Sequence, residues 1–175
     1  MITKRNIFLI GPMGSGKTAV GRQLARLFHY TFHDSDADVE EHTGVDIPFI
    51  FEQEGEAGFR AREKESIDRL TRLEGVVLAT GGGAVIDPDN RRALALRGAV
   101  VYLKTSVEQQ LARTRHARHR PLLNDVDAER TLAELMRCRA ALYEEIADIT
   151  VSTDQRRVQI VAQEIYEALH EAPAA

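Results

Sequence analysis

The chain has 175 residues, 43% of them hydrophobic and 29% charged, with a net charge of −4. That length suits one domain with a sizeable core, and the acidic balance argues against non-specific nucleic-acid binding, which shows a basic face. No stretch approaches the ~20 apolar residues of a membrane helix, and a single cysteine, Cys138, allows no internal disulfide and fits a reducing cytosol.

The start, "MITKRNIFLIGPMGSG", imitates a signal peptide, but its run "IFLI" is too short for one. "NIFLI" (6–10) reads as a buried strand. "KTAVGRQLARLF" (17–28) carries Val20, Leu24, Leu27 and Phe28 at helical spacing. "YTFHDSD" (30–36) reads as a short strand leaving through polar residues. Residues 47–73 read as mostly helical, with a break near Gly55 and Gly58. "GVVLAT" (75–80) is a strand stopped by three glycines, and 88–97 a helix ended by Gly98. A strand over 99–105 leads to a helix over 106–115 with Ser106 as N-cap. A long helix (127–147), a last strand (148–153) and a last helix (156–170) complete the set, and the tail "EAPAA" is expected to fray. Cys138 reads as a small apolar residue buried on the long helix.

Strands alternating with helices predict an α/β fold, a parallel sheet covered on both faces. Such sheets bind ligands beyond the C-terminal ends of their strands. The first strand ends in "GPMGSGKT", Gly11 to Thr18, which matches the phosphate loop G-x-x-x-x-G-K-[ST]. Its glycines let backbone N–H groups curl around phosphate oxygens. The following helix points its positive end at the anion. Lys17 can reach the β- and γ-phosphates, and the Thr18 hydroxyl is placed for Mg²⁺. A nucleoside triphosphate is therefore expected against Gly14, Ser15, Gly16, Lys17, Thr18 and Ala19.

"HDSD" places Asp34 and Asp36 at the end of the second strand. Read as extended chain, positions i and i+2 point the same way, so both face the crevice. One can serve Mg²⁺ and the other an acceptor hydroxyl. The alternative is that one caps a helix starting near Ala37. Gly81, Gly82 and Gly83 follow the third strand and let a small ligand sit on bare backbone N–H groups. Arg60 could fork a carboxylate; it could equally pair with Glu56 or Glu63 on the surface. Arg139 alone reads as an ordinary exposed arginine on a helix.

Taken together, "GPMGSGKT", "FHDSDADVEEHTG", "IFEQEGEAGFRAREKE", "VLATGGGAV", "RPLL" and "RAALYEEIADITVSTD" resemble the shikimate kinases in order and spacing, over essentially the whole chain. The resemblance implies one kinase domain over 1–175. Its parts would be the phosphate loop (11–18), an acceptor region (about 34–63) and a lid (about 113–124). The fold would be that of nucleoside monophosphate kinases, a five-stranded parallel sheet in the order 2-3-1-4-5. The reaction would be ATP-dependent phosphorylation of the shikimate 3-hydroxyl, towards chorismate and the aromatic amino acids. Asp36 would hold the shikimate hydroxyls, and Arg60 and Arg139 its carboxylate. Gly81, Gly82 and Gly83 would line the same pocket, with Phe59 packing nearby. Thr18 and Asp34 would serve Mg²⁺.

Residues 113–123, "RTRHARHRPLL", carry four arginines in a short stretch of an acidic chain. They have no aromatic residue to stack on a base, which argues against single-stranded nucleic acid. They read as a lid whose arginines repel one another until ATP compensates them. Arg120 would reach the transferring phosphoryl group. The resemblance implies that Arg113 would lie against the adenine, opposite the 154–158 loop that carries Arg156. The transition state is loose, so positioning and charge stabilisation dominate. An ordinary aspartate, with pKa ~3.9, is too weak to strip an alcohol early. Asp36 therefore reads as orienting the hydroxyl and taking its proton late. The rival readings are a kinase of another polyol acid such as gluconate, an adenylate-kinase-like enzyme, or a nucleotide switch without turnover. A cytosolic monomer with no membrane or nucleic-acid partner is expected.

Overall fold

A computed structural model of the chain describes residues 6–115 and 127–171. Most of the expected lid, including Arg120, lies outside the described residues. Five strands form one parallel sheet: β1 (Asn6–Ile10), β2 (Thr31–Asp34), β3 (Val76–Ala79), β4 (Gly98–Lys104) and β5 (Ile149–Ser152). Their order is β2-β3-β1-β4-β5, as expected. The helices are α1 (Lys17–Phe28), α2 (Ser35–Thr43), α3 (Ile47–Thr71), α4 (Pro88–Arg97), α5 (Val107–Thr114), α6 (Ala128–Ile146) and α7 (Val158–Glu171).

The sheet is central because its strands are apolar on both sides. In β1 every residue is buried. Alternation along the strand divides them between two layers. Ile7 and Leu9 pack with Val20 and Leu24 of α1 and with Val161 and Ile165 of α7. Phe8 and Ile10 pack on the other face with Ile67 and Leu70 of α3, Leu94 of α4 and Tyr143 of α6. A small separate core of Val39, Ile50 and Phe59 lies under α2 and the first half of α3, with Val45, Ile47 and Phe51 against it.

Three elements differ from the sequence reading. The second strand does not run to residue 36 but stops at Asp34. Asp34 turns the chain by capping α2, its Oδ1 accepting the N–H of Asp36 at 2.9 Å and of Ala37 at 3.3 Å. The capping alternative is the one the chain takes for Asp34, and Asp36 is helical rather than extended. A short 3₁₀ turn, Ala84–Ile86, follows the three glycines and was not anticipated. Cys138 is exposed, not buried. The buried residues of α6 are Leu132, Arg139 and Tyr143, and Cys138 sits about 100° around the helix from Arg139.

The break expected in the long helix is real and falls at Gly55, with φ 71° and ψ −175°. Only glycine adopts that conformation cheaply. Across the kink Arg62 holds Glu54 with two bonds, 3.0 and 2.6 Å. The pair is exposed, so the bend comes from the glycine rather than the salt bridge. Space around the Gly55 Cα is open, so a side chain there meets strain but no clash. Gly55→Ala is expected to lower unfolding stability by about 1–3 kcal/mol, measured by urea denaturation. An unchanged midpoint would mean that the kink relaxes freely.

Candidate active site

The order of strands decides where the site lies. β1 runs between β3 and β4, so the loops leaving β1 and β3 are neighbours at the C-terminal edge. An open cleft of about 290 Å³ sits there. Met13, Lys17, Thr18, Asp34, Asp36 and Gly81 are among its walls.

The phosphate loop takes its curvature from Gly14 and Gly16, at φ 77° and 89°. Gly16 starts α1 without a side-chain cap, which leaves the first helical N–H groups for an anion. Lys17 is buried and folds back over its own loop. Its Nζ donates to the Gly11 and Pro12 carbonyls, both at 2.8 Å, and to Ser15 Oγ at 3.3 Å. Thr18 Oγ1 donates to Asp34 Oδ2 at 3.0 Å. Gly14, Gly16 and Ala19 also line the cleft, whereas Ser15 is buried behind it.

The glycines after β3 serve a purpose the sequence reading did not see. Each leaves room for something. A Cβ on Gly81 would stand 2.6 Å from Glu63 Oε2 and 2.9 Å from Asp36 Oδ1. One on Gly82 would stand 3.3 Å from the Met13 backbone nitrogen. One on Gly83 would fall 2.6 Å from Arg60 Cζ. Real Cβ atoms do not approach the first and third neighbours that closely, so side chains of the site occupy the space the glycines vacate. Gly81 N–H donates to Ser35 Oγ at 3.0 Å, which ties this loop to α2.

Arg60 lies across this loop. It donates to Glu63 Oε1 at 2.8 Å and to Glu56 Oε1 at 3.3 Å, and its guanidinium sits 5.3 Å from the Phe59 ring centre. The pairing read as a surface feature is half right: Glu56 is exposed, but Glu63 is only 1% exposed. Burial pushes the Glu63 carboxyl above its ordinary range, while Arg60 and Arg139 pull the other way. Phe59 itself is buried in the small third core.

Arg139 is 5% exposed, against the expectation for a helical arginine. Its Nη1 lies near Gly82. Among the described residues no carboxylate reaches it within salt-bridge distance. Burying a cation without an ion pair is costly, and the Arg139 charge acts on the Glu63 and Tyr143 side chains near it.

Arg113 closes the other end. Its guanidinium donates to the Gly14 carbonyl at 3.0 Å, to Thr153 Oγ1 at 3.1 Å and to the Thr153 carbonyl at 2.7 Å. It therefore clamps the phosphate loop to the segment after β5. Arg156, in that segment, donates to the Ser152 carbonyl at 3.0 Å and pairs with Glu164. Glu63, Ser35 and Thr153 were not singled out as site residues. The Arg60–Glu63 spacing was visible, but spacing does not report burial.

A phosphate loop, a hydroxyl and carboxylate beside it, and a glycine loop flanked by two arginines on a 2-3-1-4-5 sheet define a phosphate-loop kinase of the nucleoside monophosphate kinase architecture. The family description "Shikimate kinase" matches residues 13–170. A shikimate kinase of Vibrio cholerae is 53% identical over 171 residues, covering 98% of each chain. The structure of shikimate kinase from Acinetobacter baumannii in complex with shikimate superimposes with a TM-score of 0.94 at 48% identity, over 96% of this chain and 94% of that one. The Bacteroides thetaiotaomicron shikimate kinase gives 0.86 at 30% identity, over 95% and 98%. The chain belongs to the shikimate kinase family.

Arg139 offers a test that needs no substrate. If it is kept for a ligand, it is a burden on the empty fold. Arg139→Met fills the same space without the charge and is expected to raise unfolding stability by about 1 kcal/mol or more, read in urea. A clear loss of stability would make Arg139 a structural residue instead.

Proposed function

We propose that this chain transfers the γ-phosphoryl group of ATP to the 3-hydroxyl of shikimate, giving shikimate 3-phosphate and ADP on the way to chorismate and the aromatic amino acids. The observation that carries the reading is the continuous cleft. It starts at Lys17 on the phosphate loop, passes Asp36 and ends at Gly81 and Gly82 of the glycine loop, with Arg139 Nη1 close to Gly82 and Arg60 lying across Gly83.

In this reading residues 1–175 form one kinase domain with a phosphate loop (11–18), an acceptor region (34–63) and a lid (113–124). ATP lies on Gly14, Ser15, Gly16, Lys17, Thr18 and Ala19, with its base between Arg113 and the loop bearing Arg156. Shikimate lies on Asp36, Gly81, Gly82 and Gly83. Its carboxylate enters between Arg60 and Arg139, and Phe59 supports Arg60 from below. Asp36 orients the 3-hydroxyl and takes its proton late. Lys17 and Arg120 face the transferring phosphoryl group. Excluding water matters because water is a competing acceptor.

The Thr18 hydroxyl and the Asp34 carboxylate, 3.0 Å apart at the loop, fit Mg²⁺. That ion needs hard oxygens, keeps several waters and shares phosphate oxygens with its nucleotide. When bound it neutralises charge on the phosphates. Large exposed apolar side chains, Phe49, Leu73, Ile86, Leu96 and Ile160, are spread over different parts of the described chain, which supports a monomer. The lone cysteine supports the cytosol.

ADP release from Mg·ATP with shikimate, gluconate, AMP or water as acceptor tests the reaction. Turnover is expected with shikimate alone; release with another acceptor would overturn the pocket assignment. Asp36→Asn is expected to lose most turnover, and near-normal turnover would remove Asp36 from its role. Arg139→Met is expected to raise the KM for shikimate at least about tenfold, since a hydrogen bond to a charged group contributes ~1.5–3 kcal/mol. The KM for ATP should stay near its original value. Equal effects on both substrates would contradict the assignment.

A further inference from the structure

The glycine loop is also held from the core side. Tyr143 of α6 is fully buried. Its hydroxyl donates to the Gly82 carbonyl at 2.5 Å. Its ring stacks on Tyr102 of β4, with centroids 5.0 Å apart and planes 24° from parallel. Arg139 precedes it by four residues, one helical turn, so both point from the same face of α6. A Cβ on Gly82 would lie 3.7 Å from Arg139 Nη1. Phenol, glycine and arginine thus meet at one place.

We propose that Tyr143 is a positioning residue for the acceptor carboxylate site: its hydroxyl fixes the Gly82–Gly83 peptide beside Arg139. The proposal rests on the functional reading above. Consecutive glycines have the widest backbone freedom; the Ala84 N–H closes a turn over them on the Gly81 carbonyl at 3.1 Å, and Tyr143 adds a side-chain hold on the peptide at the centre of that turn. A trans peptide is planar, and its C=O and following N–H point opposite ways. A Gly82 carbonyl turned onto Tyr143 therefore sends the Gly83 N–H away from the core. Gly83 is also where the Arg60 guanidinium crosses the loop. Burial holds the phenol well above its ordinary range, with the Arg139 charge working against it. The hydroxyl therefore stays a donor throughout the working range. Beyond the glycines, Asn90 Nδ2 takes the Ala84 carbonyl at 3.0 Å, and Arg91 Nη1 takes that of Val85 at 2.7 Å. Only Tyr143, among the described side chains, takes a carbonyl of the glycine run itself.

The test compares Tyr143→Phe with Tyr102→Phe. Each keeps the stacked pair, and only the first removes the bond to Gly82. For Tyr143→Phe the KM for shikimate is expected to rise about tenfold, the order of one lost buried hydrogen bond. The KM for ATP should be unchanged, and Tyr102→Phe should leave both constants in place. Lower thermal stability with both constants at their original values would make Tyr143 structural and overturn the proposal. So would a parallel rise in both constants. A measurement on the unmodified protein guards against a variant that folds poorly. The Gly83 amide resonance should shift on adding shikimate and stay put on adding ADP alone; no shift at saturating shikimate would overturn the proposal. Wild-type turnover answers the functional reading, and the ratio of variant to wild-type KM answers this one.

Discussion

Two loops meet with no side chain between them. The phosphate loop leaves β1, the glycine loop leaves β3, and the strands are hydrogen-bonded neighbours. Gly82 comes so close to the Met13 nitrogen that a Cβ there would stand 3.3 Å away. In the proposed reading this contact sets the distance between the nucleotide's terminal phosphate and the acceptor. Every other part of the site is arranged around it. α1 presents its N-terminus from one side, α2 carries Asp36 to the Gly81 edge, and α6 supplies Arg139 and Tyr143 from beneath.

The charge balance of the acceptor pocket follows from the same crowding. Arg60 and Arg139 both approach the glycine loop, and of the carboxylates beside Arg60, Glu63 is the buried one. Placing Glu63 there costs desolvation, visible in its raised carboxyl, but it holds Arg60 to the loop. Arg139 has no such partner among the described residues. Burying charged groups this close together is costly in the empty protein. In the proposed reading the shikimate carboxylate gives Arg139 the ion pair it lacks among the described residues. A fold that minimised its own energy would have placed an apolar residue at 139.

Much of this was legible in the sequence. Apolar runs alternating with amphipathic segments specified the layers, and the eight residues of the phosphate loop specified the anion site. The break at Gly55 was visible because a glycine inside a helical pattern is rarely neutral. The acceptor pocket was harder. Its arginines look like any surface arginines, because period and spacing carry no record of burial. Arg139 taken alone therefore reads as exposed, Glu63 stays open as a surface partner of Arg60, and Cys138, next to Arg139, reads as buried. Asp34 and Asp36 were both placed at the cleft, and both line it. The reason was wrong: the chain turns at Asp34, and Asp36 arrives from the first turn of a helix. The three glycines were read as a bare surface for ligand, whereas two of them make room for the protein's own charged side chains.

The central claim is that the acceptor's carboxylate binds at Arg139, beside Arg60. Calorimetric binding of shikimate, compared with its uncharged methyl ester, tests it directly. Removing the charge should weaken binding by about a hundredfold, as expected when hydrogen bonds to a charged group are lost. Equal affinity for acid and ester would contradict the account, since the pocket would then be recognising the ring hydroxyls alone.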